Sequence, residues 1–208
     1  LTAKEFRQQR IHPLDYSAVI LNSKLGIEHY FRLCEEMRIT VPDTMHYYCN
    51  SEQVGLYLQK YIQYRKRKVF FPETGNRFED VLPAMHRRPH ETYLMVLSDI
   101  HTQEQINMFA ENNIEVTPAI MYRTVTTPWP KEQPFDYDMI ALFTPAGVKA
   151  LCENFPDWKQ GETLIAAFGE GTVRALEQAG YRVDITAGAN CPFASLPMAI
   201  ADYLDKNA

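Results

Sequence analysis

The run Asp136-Tyr137-Asp138-Met139-Ile140-Ala141-Leu142-Phe143-Thr144-Pro145-Ala146-Gly147-Val148 is followed, fifteen residues on, by Thr163-Leu164-Ile165-Ala166-Ala167-Phe168-Gly169-Glu170-Gly171-Thr172-Val173. The apolar run 139–143 has the length of a buried strand, 144–147 is a turn, and 148–154 carries a helical pattern. The second run repeats the plan with a strand over 163–168, a turn over 169–172 and a helix over 173–179. Gly180 then introduces a third strand near Tyr181. Strand and helix alternate, so the stretch predicts a parallel sheet with helices on its faces. Both strand-to-helix turns carry small and hydroxyl residues. A helix N-terminus leaves backbone N–H donors free and bears the positive end of the dipole, so each turn favours an anion. Ligands of such sheets bind at the carboxyl ends of the strands, where these turns lie.

The same pattern stands earlier in the chain. Asp15-Tyr16 matches Asp136-Tyr137, Leu21 matches Leu142, Ser23 matches Thr144, Gly26 matches Gly147 and Ile27 matches Val148, at a constant offset of 121. Ser51-Glu52 and Leu58 echo Gly169-Glu170 and Leu176 more loosely, at an offset of 118. Two related α/β units predict two similar parallel-sheet domains of flavodoxin or Rossmann type facing a shared cleft. The expected bounds are residues 8–120 for the first, 121–135 for a connector built of extended strands, and 136–208 for the second. Residues 127–134 hold three prolines, which suits a connector.

Within the first unit, Thr2 and Glu5 have capping-box spacing ahead of a short helix over 2–9. Strands are expected at 18–21, 46–49, 69–71, 93–97 and from 114, with helices over 26–38, 52–61, 78–86 and 102–112. Pro118 to Thr126 reads as extended. Strand alternation there puts Tyr122 and Thr124 on one side, Met121 and Arg123 on the other. The basic run Arg65-Lys66-Arg67-Lys68 reads either as a solvated loop or as a landing site for a polyanion, and Arg87-Arg88 reads the same way.

A net charge of −5 argues against broad nucleic-acid binding, which needs a basic face. The four cysteines have no CxxC spacing, as expected of free thiols in a reducing cytoplasm. No apolar run approaches a membrane span, and no signal peptide is expected. No metal constellation is visible: His86 and His90 are separated by Pro89 and do not make a helical ligand pair. Gly169 and Gly171 lack the third glycine of a dinucleotide fingerprint, and no Gly-x-Ser-x-Gly elbow or Cys–His nucleophile occurs. What remains is a set of hydroxyls and backbone donors at strand ends: Ser23, Ser51, Ser98, Thr144 and Thr172, with Tyr122. Each Ser or Thr is also a natural helix cap, and Tyr122 is also a natural packed aromatic.

The order Asp-Tyr, apolar strand, Phe143-Thr144-Pro145-Ala146-Gly147-Val148, then Phe168-Gly169-Glu170-Gly171-Thr172-Val173 through Leu176 to Gly180, resembles the C-terminal half of uroporphyrinogen-III synthases. Tyr122-Arg123-Thr124 stands where that family carries a Tyr-x-Thr on the strand joining its domains, and the resemblance runs in order along nearly the whole chain. It implies an enzyme, a cyclising hydro-lyase of haem biosynthesis. The substrate would be hydroxymethylbilane, a linear tetrapyrrole with eight carboxylates. Its first ring loses a hydroxyl as water, and the last ring attacks the cation through a spiro intermediate and closes inverted. The resemblance implies no cofactor and no metal. It also implies a cytoplasmic monomer whose partner is this small molecule, with no nucleic acid and no membrane. It makes Tyr122 the candidate proton donor. Ser23, Lys24, Ser51, Ser98, Thr144, Pro145, Ala146, Gly147, Gly169, Gly171, Thr172 and Asn190 become candidate substrate contacts. In that family a strand and helix precede the position of Leu1 and complete the C-terminal sheet, so the second domain is expected to lack one strand within this chain.

The sequence also departs from the family. The loop before the last helix reads Ala189-Asn190-Cys191-Pro192-Phe193 in place of Pro-Thr, with Asn190 as the nearest equivalent. Ser51-Glu52-Gln53-Val54 lacks the glycine and threonine of the first-domain turn, and Ser98-Asp99-Ile100-His101 is not the usual basic or glycine-rich form. Two alternatives stay open on the residues alone: a non-catalytic two-domain small-molecule binding protein, and a flavodoxin-like signalling or scaffold pair.

Overall fold

Strand β1 (Ala18–Leu21) lies at the middle of a parallel sheet and is buried along its whole length, because helices cover both faces. The computed structural model describes residues 1–75, 77–101 and 103–207. By internal contacts the chain divides into two units, Leu1–Thr124 and Val125–Ala208.

In the first unit, α1 (Ala3–Arg7) precedes β1, and α2 (Lys24–Glu36), β2 (His46–Cys49), α3 (Glu52–Tyr57) and β3 (Val69–Phe70) follow. Then come α4 (Leu82–His86), β4 (Tyr93–Ser98), α5 (Gln103–Glu111) and β5 (Val116–Tyr122). All pairings are parallel, in the order β3-β2-β1-β4-β5. The chain winds outward one way from β1 to β3 and the other way from β4 to β5, so a crevice opens between β1 and β4 at their carboxyl ends. Period-2 alternation sorts the two faces. Val19, Leu21, Leu94 and Val96 pack with Phe6, Ile27, Tyr30 and Leu33 on one side. Ala18, Ile20, Met95 and Leu97 pack with Phe78, Val81, Met85 and Phe109 on the other. Phe6 is fully buried and docks α1, a burial worth about 2 kcal/mol.

The second unit holds β6 (Met139–Leu142), α6 (Pro145–Asn154), β7 (Leu164–Phe168), α7 (Glu170–Gln178), β8 (Ile185–Ala187) and α8 (Leu196–Asn207). Its sheet has three parallel strands in the order β6-β7-β8. One cluster packs α8 against Ala166, Ile185 and Ala187; the other packs Val148 and Leu176 against Ile165 and Ala167.

The 121-residue offset has a structural counterpart. Ser23 caps α2 by accepting from Gly26 N–H at 3.0 Å, and Thr144 caps α6 by accepting from Gly147 N–H at 3.2 Å. Both helices start sooner than expected, at Lys24 and Pro145, and α7 starts at Glu170. The residues read as turn are the first helical turn, since a capped Pro at the first position is already set for helix. The third strand of the second unit begins at Ile185 and not near Tyr181. Helix α3 is shorter than 52–61, passing into a 3-10 turn over Leu58–Lys60, and 78–81 is also 3-10. Thr102, expected to open the fourth helix of that unit, lies outside the described residues.

Residues 121–135 divide between the two units. Met121 and Tyr122 belong to β5. Trp129 and Phe135 pack on Phe155, with Trp129 N–H donating to Asn154 Oδ1 at 2.8 Å, because large aromatic rings gain by leaving water. The basic run is not a wholly solvated loop: Lys68 is buried and paired with Asp43. Arg88 lies over the Phe70 ring at 4.3 Å. All four cysteines are free; Cys34 and Cys49 are buried, and burial raises the Cys34 thiol to about 11. No helix among the described residues is long and apolar enough to cross a membrane.

The capping box of α1 is formed: Thr2 N–H and Oγ–H each donate to Glu5 at 2.8 Å, and Glu5 also pairs with Arg123 just past β5. Its carboxyl is held down at about 2, first by the Thr2 N–H, then by the Thr2 hydroxyl and Arg123. A depressed folded-state value means the contribution is complete above the ordinary value of 4.5 and is lost as pH falls through about 2. Glu5→Gln should therefore flatten the acid limb of a plot of unfolding midpoint against pH in that window. An acid limb identical to the parent's would remove Glu5 from acid stability.

Candidate active site

Because every strand of the first sheet runs the same way, one edge collects the residues that follow them. Ser51 caps α3 after β2, accepting from Val54 N–H at 3.4 Å. Ser23 caps α2 after β1, and Ser98 ends β4. Ser23 and Ser98 thus flank the crevice between β1 and β4. Ser98 is not a cap; it pairs with Tyr122, and its carbonyl accepts from His101 Nδ1 at 2.8 Å. Lys24 opens α2, is exposed, and sits 5.6 Å from the centre of the Tyr57 ring.

Tyr122 ends β5 on this edge, and its side differs from the one strand alternation gives. The register shifts between Leu97 and Ser98: Leu97 pairs with Ile120, but Ser98 pairs with Tyr122. Met121 is the extra residue of a bulge, and a bulge re-aims the side chain that follows it. Met121 stays on the α2 face with Ala119, and Tyr122 now packs on that face too. Its hydroxyl stands 3.4 Å from Ser23 Oγ, either able to donate. The ring is half-buried and stacks on His29, with centroids 5.0 Å apart and planes 15° from parallel. Tyr122 is therefore both packed and aimed at the strand-end edge. The bulge is pinned from outside the ladder: Asp99 N–H donates to the Tyr122 carbonyl at 3.1 Å, and Thr124 N–H donates to Asp99 Oδ1 at 3.0 Å.

On the second unit the same edge gathers three turns. Thr144, Pro145, Ala146 and Gly147 open α6. Pro145 has no N–H and Gly147 N–H is held by Thr144, so Ala146 supplies the first-turn donor. Gly169, with φ 79°, precedes α7 and donates its N–H to the Ala187 carbonyl at 2.8 Å. Gly171 lies beside Pro145, which brings the two helix N-termini together: a Cβ there would stand 3.7 Å from the proline ring. Thr172 does not present its side chain. It is the third residue of α7 and only 2 % exposed, pointing into the unit and not outward as a cap would. Asn190 donates to Glu170 Oε1 at 2.7 Å, so its amide is engaged within the protein. Glu170 also faces Arg174 at 3.7 Å.

Several participants had no readable signal. His29 lies three residues from both Gly26 and Arg32, on one helix face, but a lone His at the rim of a buried stripe announces nothing. Phe143 and Phe168, at the ends of β6 and β7, are exposed and lie 6.3 Å apart; in sequence they read only as the last residues of strands. A groove of about 800 Å³ along β3, lined by Lys66, Phe71 and Arg87 among others, holds residues of both basic runs but none of the strand-end hydroxyls or turn residues, and lies at the sheet's side edge. The carboxyl-end edge is the better site, since it joins the hydroxyls to the helix N-termini. Among the described residues, no group of three His, Cys, Asp or Glu side chains is placed to hold a metal ion.

Known proteins match this arrangement. The family model of uroporphyrinogen-III synthase HemD matches residues 2–190. The structure is similar to a uroporphyrinogen-III synthetase from Helicobacter pylori 26695, with a TM-score of 0.67 and 16% identity over 94% of this chain and 86% of that one. It is also similar to a mutant uroporphyrinogen III synthase from the extreme thermophile Thermus thermophilus, with a TM-score of 0.57 and 16% identity over 99% of this chain and 85% of that one. At such identity the two structures speak to the α/β fold with parallel sheets. No curated protein matches the sequence.

Proposed function

Because the chain belongs to the uroporphyrinogen-III synthase family, we propose that hydroxymethylbilane binds at the strand-end edges and that Tyr122 supplies the proton for its departing hydroxyl. The chain is an enzyme of tetrapyrrole biosynthesis, a lyase that closes hydroxymethylbilane to uroporphyrinogen III. The roles of individual residues are our reading. The observation that carries them is the Tyr122 hydroxyl beside Ser23 Oγ at the crevice between β1 and β4.

The chemistry asks for little. The carbon–oxygen bond of the hydroxymethyl group breaks as its oxygen takes a proton and leaves as water. The pyrrole nitrogen lone pair stabilises the resulting cation, and the last ring attacks it through its substituted α-carbon to give a spiro intermediate. The bond from that carbon to the neighbouring methylene then breaks, the methylene re-attaches at the free α-carbon, and that carbon loses its proton, so the last ring closes inverted. A phenol within hydrogen-bond reach of the leaving oxygen can give the first proton. Holding the coiled chain so that its ends meet supplies the rest as proximity. In this reading the first turns of α2, α3, α6 and α7 receive substrate carboxylates through backbone N–H groups, and Lys24 adds a charge. Ser51, Ser98, Thr144 and Gly169 stand at the rim. Thr172 acts through packing, and Asn190 acts through Glu170. The chain, built of two similar α/β units, works as a monomer in the cytoplasm.

The test is to feed the protein enzymatically generated hydroxymethylbilane and resolve the product isomers. An excess of type III over the spontaneous type I ring is expected. Type I alone, with bilane nonetheless bound, would make the chain a binding protein.

Glu170 gives a second check. Its carboxylate sits on the first turn of α7 and competes there with any substrate carboxylate. Glu170→Gln keeps an acceptor for Asn190 and removes the charge. KM should fall by roughly two- to fivefold, the range of one exposed charge interaction. A KM that rises or stays put would mean that no substrate carboxylate approaches this helix.

A further inference from the structure

We propose that His29 is a positioning residue for Tyr122, its imidazole stacked on the phenol so that the hydroxyl is fixed at the strand-end edge; the proposal rests on the proton-donor role given to Tyr122 above. The backbone alone does not fix that ring. Tyr122 is the last residue of an edge strand and follows a bulge, where the ladder is locally interrupted. Its polar contact with Ser23, at 3.4 Å, is long for a hydroxyl pair. The broad contact is the face of His29, nearly parallel at 15° with centroids 5.0 Å apart, within the range of stacked aromatic pairs.

His29 is itself held. Arg32 directs Nε, at 3.3 Å, and Nη2, at 3.2 Å, toward His29 Nδ1. A guanidinium only donates, so Nδ1 accepts and the ring proton resides on Nε2, leaving the imidazole neutral. Burial first, and then the Arg32 charge, lower the proton affinity of His29 in the same direction. Arg32 is anchored in turn by Glu36, one turn further along α2. Ser23 caps the same helix. One rigid element therefore grips Tyr122 twice, at the hydroxyl through the cap and at the ring through His29, which is how a reacting group is kept in place.

The experiment measures kcat, KM, the type III fraction and the melting temperature for the parent and four variants: His29→Ala, His29→Phe, Tyr122→Phe and the double variant His29→Ala/Tyr122→Phe. His29→Ala should lower kcat by roughly 3- to 10-fold, as expected for loss of one stacked pair, with KM within about twofold. His29→Phe keeps a flat ring and should restore most of kcat. With the hydroxyl gone, position no longer matters, so the double variant should turn over no more slowly than Tyr122→Phe. Parental kcat in His29→Ala alongside an impaired Tyr122→Phe overturns the positioning role and leaves the proton donor standing. So does an additive loss in the double variant, or a failure of His29→Phe to rescue while its melting temperature stays parental. Parental turnover in Tyr122→Phe overturns the donor role and this inference with it.

Discussion

Tyr122→Phe should fold like the parent and turn over hydroxymethylbilane about 10- to 100-fold more slowly, at and below the lower end of general-acid effects. The fold should survive because the hydroxyl serves no core. Its partner Ser23 keeps its structural task, capping α2 through Gly26 N–H, and the ring keeps its stack on His29. The phenylalanine ring still fills the same half-buried place on the α2 face of the sheet. What disappears is a proton source beside the leaving oxygen. The loss should fall on kcat, since one hydroxyl among many carboxylate contacts adds little ground-state binding. Steady-state kinetics with isomer analysis, beside a melting curve, checks both halves. Unchanged turnover would remove Tyr122 from the mechanism and leave its aromatic packing as its whole role.

Gly188→Ala should have the largest effect on the second unit. Gly188 has φ 142°, a conformation that L side chains rarely adopt. A Cβ there would also stand 3.3 Å from both the Cα and the N of Gly169. The loop after β8 lies backbone against backbone on the residue that precedes α7, and the Gly169 N–H donates to the adjoining Ala187 carbonyl. Backbone strain of this kind costs about 1–3 kcal/mol. That corresponds to a melting-temperature drop of roughly 5–15 °C for a unit of this size. The methyl can be accommodated only by parting the loop from the N-terminus of α7, so KM for the polycarboxylate should rise as well. Gly180→Ala is the control. Gly180 also has a positive φ, 84°, but nothing lies within 4 Å of its would-be Cβ, so it carries strain without collision. If Gly188→Ala melted like Gly180→Ala and kept its KM, the backbone contact would have no role in shaping the site.

Much of this architecture was legible in the sequence because it is set by near neighbours. β1 and β2 fall on the expected residues because short apolar runs between turn residues fix where a buried strand starts and stops. The Thr2–Glu5 box forms because both partners lie within one turn. The 121-residue echo returned as the same cap made twice, Ser23 on Gly26 and Thr144 on Gly147, since a cap and its acceptor site are three residues apart. With strands alternating with helices, the collection of Ser23, Ser51, Ser98 and Tyr122 along one edge was implied before any coordinate was known.

Alternation, caps and family all follow from residues a few positions apart, or from their order along the chain, and so could be read without coordinates. Which way the decisive side chains face follows only from assembly. Tyr122 was expected to share a side with Thr124 by simple alternation, but the slip against β4 moved it to the α2 face, beside Ser23 and His29. That slip belongs to a pairing of two strands, and nothing within either strand encodes it. Thr172 read as a presented hydroxyl and is buried, because α7 begins at Glu170 and turns that position inward. Asn190 read as a ligand donor and is spent on Glu170, twenty residues away. A contact between residues so far apart is fixed by how helices and loops dock, and docking is a property of the assembled core rather than of any local run.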